Sequence, residues 1–254
     1  MQKKENEVSS DALAERYACN RGIEEFKRWY PNGHAPLTGV LRKLQELAST
    51  SADYDEYVEY AKWLFDNFPP TQETLVLNEL TEKVIFWNGD IDIKSGIDGD
   101  HIIIGNGDLN IAGGVKLTEC ARIWAKNVKG QNITLYDCAG IWAEETIKAI
   151  NIAAYDDAEI GVKTIDAVNI AAYGDAGILA EETIKAINIA AYGDARISAE
   201  ETIDAVNIAA YDQSEISAKK INTQNIMDDT RWGIRGDINL IRPSSNQQNT
   251  TTAS

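Results

Sequence analysis

A chain of 254 residues and 28.0 kDa has room for one large or two small domains and for a sizeable core, and 44% hydrophobic with 25% charged residues excludes a disordered polymer. Forty Asp and Glu against 24 Lys and Arg leave a formal charge of −16, which excludes direct sequence-neutral binding of nucleic acid. No apolar run reaches the roughly 18 residues of a membrane span, the charged start Met1-Gln2-Lys3-Lys4-Glu5 is not a signal peptide, and three Cys without an export signal point to a reducing cytosol rather than a disulfide scaffold.

The first elements are helical. Ala12, Leu13, Tyr17, Ile23 and Phe26 recur at helical spacing and predict a helix from Ser10 to Trp29, with Ser9 or Ser10 as its cap and Pro31-Asn32-Gly33 as its stop. A second helix fits Leu37–Leu47 and a third fits Asp53–Phe68, ended by Pro69-Pro70. Cys19, beside Ala18, reads as core. Together these segments predict an α-helical domain over 1–82 that covers the first edge of whatever follows.

From residue 83 the chain repeats. Asn-Ile-Ala-Ala-Tyr begins at Asn151, Asn169, Asn188 and Asn207, with degenerate copies at Asn132 and Asn225, so successive spacings are 19, 18, 19, 19 and 18 residues. Two more columns keep the same clock: Ile123, Ile141, Ile160, Ile178, Ile197, Ile216 and Ile234, and Val128, Ile147, Ile165, Ile184, Ile203 and Ile221. Apolar residues alternate within each copy, as in Ile187-x-Ile189-x-Ala191, which is the two-residue period of a strand. Tyr-Gly-Asp signals a turn and Glu-Glu-Thr a polar corner. Strands and corners on an 18- to 19-residue period describe one coil of a parallel β-helix, each coil stacking on the last at about 4.8 Å. The expectation is a mainly β chain: a β-solenoid over 83–242 of about eight coils and about 40 Å, of either hand. The outward charges agree, because the position after the third column reads Lys148, Asp166, Lys185, Asp204 and so avoids stacking like charges. The polar stretch 243–254 reads as a disordered tail.

The segment Ala18-Cys19-Asn20-Arg21-Gly22-Ile23-Glu24-Glu25-Phe26, followed later by Asp66-Asn67-Phe68-Pro69, resembles the small N-terminal domain of certain phage and prophage accessory proteins. The run Ala190-Ala191-Tyr192-Gly193-Asp194-Ala195-Arg196-Ile197-Ser198-Ala199 resembles the alanine-rich β-helix repeats that follow that domain in such proteins. More loosely, the repeats are similar to the β-helix of bactofilins, which polymerise end to end. The resemblance implies a phage context, hence the cytoplasm of an infected bacterial host, and carries no catalytic residues.

Candidate chemistry is sparse. His34 and His101 are the two histidines, and neither lies in a nucleophile or acid–base motif, so no enzyme is expected. Gly105-Asn106-Gly107-Asp108 with Gly113-Gly114 echoes a calcium β-roll, but the spacing is one residue short and tight corners explain the glycines as well. Cys120 and Cys138 fall on neighbouring coils and read as buried or half-buried thiols, not a metal pair; no metal or cofactor is expected.

Three surfaces remain. With Ile187, Ile189 and Ala191 inward, the opposite parity builds a flat face of Asn151, Asn169, Asn188 and Asn207, an Ala lane, and a ladder of Tyr136, Tyr155, Tyr173, Tyr192 and Tyr211. That face either stabilises the stack or binds a partner, a second copy of the chain being the simplest. An outward lane starting with Trp124 and Trp142 should receive the helical domain or a partner protein. An acidic edge carries Glu144-Glu145, Glu181-Glu182 and Glu200-Glu201 at one corner and Asp157, Asp175 and Asp194 at the opposite turn, interrupted by Lys163, Lys219 and Lys220. The functional expectation is a phage protein that inhibits a bacterial defence complex of CRISPR or nuclease type, by protein binding or by imitating nucleic-acid charge. A self-assembling scaffold or virion spacer is the alternative, and a glycan-binding β-helix the third.

Overall fold

The computed structural model describes residues 6–51, 54–231 and 233–241; Asp53, at the start of the third expected helix, and the tail 243–254 lie outside them. The chain runs β1 (Glu7–Ser9), α1 (Ser10–Glu15), α2 (Asn20–Trp29), β2 (His34–Pro36), α3 (Leu37–Thr50) and α4 (Asp55–Asn67). It then enters the solenoid with β3 (Leu75–Leu77), β4 (Val84–Trp87), β5 (Ile91–Ile93), β6 (Ile97–Gly99), β7 (Ile102–Gly105), β8 (Asp108–Ile111), β9 (Val115–Leu117), β10 (Arg122–Lys129) and β11 (Asn132–Leu135). Longer strands complete it: β12 (Gly140–Ala154), β13 (Glu159–Ala172), β14 (Gly177–Ala191), β15 (Arg196–Asp212), β16 (Glu215–Thr223), β17 (Asn225–Thr230) and β18 (Gly233–Leu240).

The helical segment departs from one long helix at Tyr17. That residue adopts φ 61 and is 92% exposed, so α1 closes after one and a half turns and α2 begins afresh. Ser9 caps α1 by accepting the Ala12 N–H at 3.0 Å. Cys19 is not core: it is exposed and caps α2, its Sγ accepting the Gly22 N–H at 3.3 Å. The break lets α1 and α2 turn Leu13 and Phe26 onto one cluster with Leu41 and Leu44 of α3 and Val58, Leu64 and Phe65 of α4.

The sheet is parallel throughout the solenoid, and its register is the repeat itself: Asn151 pairs Asn169, Asn169 pairs Asn188, and Asn188 pairs Asn207. About nine coils form, not eight. The sheet already includes β3, before residue 83, and β3 and β5 carry none of the later words by which a coil could be counted. Ile85, Ile103, Ile123, Ile141, Ile160, Ile178, Ile197 and Ile216 are buried in one continuous core with the second column and with alanines 139, 158, 176 and 195 from the turns. Small residues at the turns let each chain reverse close to the axis without a void.

Alternation fails at one corner. Ile187 is 48% exposed, and its equivalents Ile150 and Val168 are 51% and 38% exposed. The chain bends between the second core column and the Asn lane, so two successive residues, Ile187 and Asn188, both point outward before Ile189 turns in. Strict parity holds only along a straight strand.

The helical domain sits on the flank of the first coils. Val84, Phe86, Ile102 and Ile104 turn away from the solenoid core and join the helical cluster, while Ile85 and Ile103 between them point inward. Gln45 of α3 accepts the Phe86 N–H at 3.1 Å, which satisfies an edge donor of β4 that has no strand beside it.

Candidate functional site

Six turns on one side of the rod are each built by one left-handed residue. Glu119, Asp137, Asp156, Gly174, Gly193 and Asp212 occupy equivalent turns, with φ between 56 and 71. After the last five of these the Ala or Ser two residues on donates its N–H back to the preceding Tyr carbonyl at 3.1–3.4 Å. Only Gly, Asn and Asp take this conformation readily, which is why Tyr-Gly-Asp and Tyr-Asp-Asp interchange.

Those turns place the Tyr ladder. Rings of Tyr136, Tyr155, Tyr173, Tyr192 and Tyr211 stack at centroid separations of 4.9, 4.7, 4.9 and 4.8 Å with interplanar angles of 3–10°. Burial between its neighbours, with the Tyr155 and Tyr192 hydroxyls beside it, pushes the Tyr173 hydroxyl pKa above its ordinary value. The Asn lane is bonded along the rod: Asn151, Asn169, Asn188, Asn207 and Asn225 each donate Nδ2–H to Oδ1 of the Asn one coil earlier, at 2.6–2.7 Å. Asn151, Asn169, Asn188 and Asn207 thus each engage one donor and one acceptor within the chain, and the Ala lane between Asn and Tyr is half-buried.

The aromatic lane meets the helices. Trp124 and Trp142 stack at 4.5 Å, Lys62 of α4 lies 5.1 Å over Trp124, and Arg122 reaches Asp55 at 2.7 Å. Trp124 is half-buried against the helical cluster. Two glycines make room for the second ring: a Cβ on Gly161, the next member of this lane, would lie 2.9 Å from Trp142, and one on Gly140 closer still. A bulky outward residue followed one coil later by a glycine in the same column is the signal for Gly161, and a glycine two residues before the ring on the same strand the signal for Gly140.

The acidic edge divides into two unequal rows. At the Glu corner the 19-residue coils insert one extra residue, seen as register shifts between Ala143 and Thr146 and between Ala199 and Thr202, and this is where Glu-Glu sits. The shorter coils carry a single Lys there, and it bridges to a neighbour: Lys126 to Glu145 at 3.4 Å, Lys163 to Glu182 at 3.2 Å and Lys219 to Glu201 at 2.6 Å. Glu144, Glu181 and Glu200 form no ion pair among the described residues. On the turn side, Asp157, Asp175 and Asp194 are exposed, lie one coil apart, and form no ion pair among the described residues. They border a shallow groove with Glu159, Glu215, Arg196 and Arg235.

Cys120 and Cys138 are not buried thiols. Both are exposed beside the left-handed residues Glu119 and Asp137, and they are joined as a disulfide between adjacent coils with Cα atoms 5.1 Å apart. The turn that aims a side chain outward also stacks it over its equivalent one coil away. The β-roll echo has a packing cause as well, since a Cβ on Gly107 would lie within 2.7 Å of the Asp90 backbone nitrogen and one on Gly113 within 2.7 Å of the Gly96 nitrogen. No group of three or more metal-binding side chains occurs among the described residues, and no helix among them is long and apolar enough to cross a membrane. No family model, curated protein or solved structure matches the chain.

Proposed function

We propose that this chain is a non-enzymatic, phage-encoded binding protein: a rigid acidic rod that docks on a basic surface of a host defence complex, of CRISPR or nuclease type, and blocks it. The observation that carries the reading is the row Asp157, Asp175, Asp194, exposed on a stiff turn without a cationic partner among the described residues. Fixed like charges at one-coil spacing produce a strong directional field, which favours encounter with a positive partner. Contact with protein fits better than imitation of a duplex. The row offers one charge per about 4.8 Å, against about 3.4 Å along one DNA strand, and the Glu row is half neutralised by lysine.

The test is affinity capture of the tagged chain from a bacterium carrying several defence systems, after nuclease treatment, beside the variant D157N/D175N/D194N. A stoichiometric defence subunit with the wild type and its loss with the variant is the expected result. Recovery of the wild type alone would overturn the reading. If reversing Glu181, Glu182, Glu200 and Glu201 to Lys leaves inhibition intact, the Glu row takes no part in it. A second reading, a scaffold that assembles end to end, is favoured by β18, which closes one end of the sheet order with Ile238 and Leu240 exposed. Light scattering separates the two, since a ladder of sizes belongs to the scaffold.

A further inference from the structure

One corner lane is neither covered nor internally satisfied. Ile150, Val168, Ile187 and Val206 stack at that corner, three of them 38–51% exposed, and the lane is bounded by Gln131 before and Gln224 after. Beside it runs Lys148, Asp166, Lys185, Asp204, in direct register from coil to coil. Unlike the Lys residues at the Glu corner, these charges form no ion pair among the described residues; Asp204 accepts a hydrogen bond from Asn222 at 2.6 Å. The two alternations are in phase, so every coil with Lys carries Ile and every coil with Asp carries Val.

We propose that this corner seats a second copy of the chain, antiparallel, with the two-fold axis between the Val168 and Ile187 coils. Reversing Lys-Asp-Lys-Asp gives Asp-Lys-Asp-Lys, so Lys148 faces Asp204 of the other copy and Asp166 faces Lys185, each pair occurring twice by symmetry. The same reversal sets Ile150 against Val206 and Val168 against Ile187, a larger side chain against a smaller one at every level. One coil further out, Lys129 faces Asn222 and Gln131 faces Gln224, and no like charges meet. Sliding the copy so that the axis falls between the Lys148 and Asp166 coils would bring Lys129 against Lys185. Sliding it the other way, between the Lys185 and Asp204 coils, would set Asp166 and Lys148 against Asn222 and Asn239 and halve the opposed charge pairs, and together these select the register. A parallel arrangement would set the charged lane against the uncharged Asn lane and leave its charges unanswered. This contact differs from the Tyr face and is independent of the acidic rows proposed to meet a host protein.

The experiment uses the full chain and a phase-swapped variant, K148D/D166K/K185D/D204K. The variant keeps alternating charges within each rod; it loses the Asn222–Asp204 hydrogen bond and gains an opposite charge beside Lys129, so an unchanged circular dichroism spectrum is required of it first. Light scattering at micromolar concentration should give both proteins twice the 28.0 kDa chain mass. On mixing, native mass spectrometry should find the two homodimers and no mixed dimer, because each Lys would then meet Lys and each Asp meet Asp. The double variant I150Q/I187Q, a residue the chain already uses in this lane at Gln131 and Gln224, should weaken the dimer by about tenfold or more with an unchanged circular dichroism spectrum. A monomeric wild type, a monomeric phase-swapped chain, mixed dimers in random proportion, or a double variant that dimerises as tightly as the wild type would overturn the proposal.

Discussion

The coils between Val84 and Leu117 and those between Gly140 and Asp212 solve one stacking problem by different means. The early strands are three or four residues long and broken by glycines, and β4 and β7 are apolar on both faces, with Phe86 and Ile104 buried under helices and Ile85 and Ile103 in the solenoid core. The later strands run 14–17 residues, and outside their core they rely on lanes of identical side chains. The early region is held by contacts between unlike elements, the later one by the repetition of a single contact. A change in the first region should therefore disturb a junction, whereas a change in the second removes one rung and leaves the rest.

The sharpest way to break this contrast is Phe86→Ala. The ring is 2% exposed at the seam between α3 and the first coils, so its loss should cost about 3–5 kcal/mol and red-shift the tryptophan emission as Trp124 becomes wet. Denaturant unfolding followed by fluorescence and by circular dichroism checks whether the helices leave first. Replacing Cys120 and Cys138 together by Ser removes the one covalent tie between coils, at the boundary of the two regions. A closed loop of 18 residues predicts a loss of about 3 kcal/mol, read as a lower urea midpoint. In the later coils, Asn169→Ala deletes a donor to Asn151 and the acceptor used by Asn188, for about 1–2 kcal/mol. Asn132→Ala, at the end of the ladder, leaves only Asn151 without its acceptor and should cost about half as much.

How far these lanes were visible beforehand depends on what each position obeys. A strict period fixed the partner of Asn169 and of Ile178, because parallel coils of near-constant length leave no other register. The period was silent wherever a local bend or a neighbouring ring decides orientation. Ile187 counts as inward by parity yet lies outside, because a corner gives two successive residues the same side. Tyr17 keeps helical spacing yet takes a left-handed backbone that ends α1. Cys120 and Cys138 stack on neighbouring coils as their spacing predicts, yet lie exposed rather than buried, since stacking reports height along the rod but not depth from its surface. For the acidic edge, composition supplied the Asp and Glu rows, and only coil length reveals why lysine accompanies one row and not the other.

Two smaller effects complete the comparison. Lys163→Ala removes the bridge to Glu182 between two half-exposed side chains and should change stability by less than about 1 kcal/mol. A pH titration of the wild type beside Tyr173→Phe isolates the Tyr stack, since burial also raises the pKa of the Tyr30 and Tyr60 hydroxyls in the helical region. Burial raises the Tyr173 pKa above 10.0, so the folded chain holds that proton more tightly than the unfolded one. The stabilisation is complete below pH 10 and is lost as pH rises through the folded value. Unfolding midpoints between pH 9 and 12 should fall, and Tyr173→Phe should reduce that fall.

The alternation of coil types sets a rule for how such a gene can grow. Lys148 and Lys185 stand 37 residues apart with one Asp coil between them, so the hereditary unit is a pair of coils. Duplication of a pair would lengthen the rod by about 10 Å and keep Lys and Asp alternating from Lys148 to Asp204. Duplication of a single coil would set Lys on Lys or Asp on Asp at the joint. Lys129 already stacks on Lys148 where the alternation begins, so one like pair is tolerated at its edge, and length variants that keep the alternation intact within it differ by even numbers of coils.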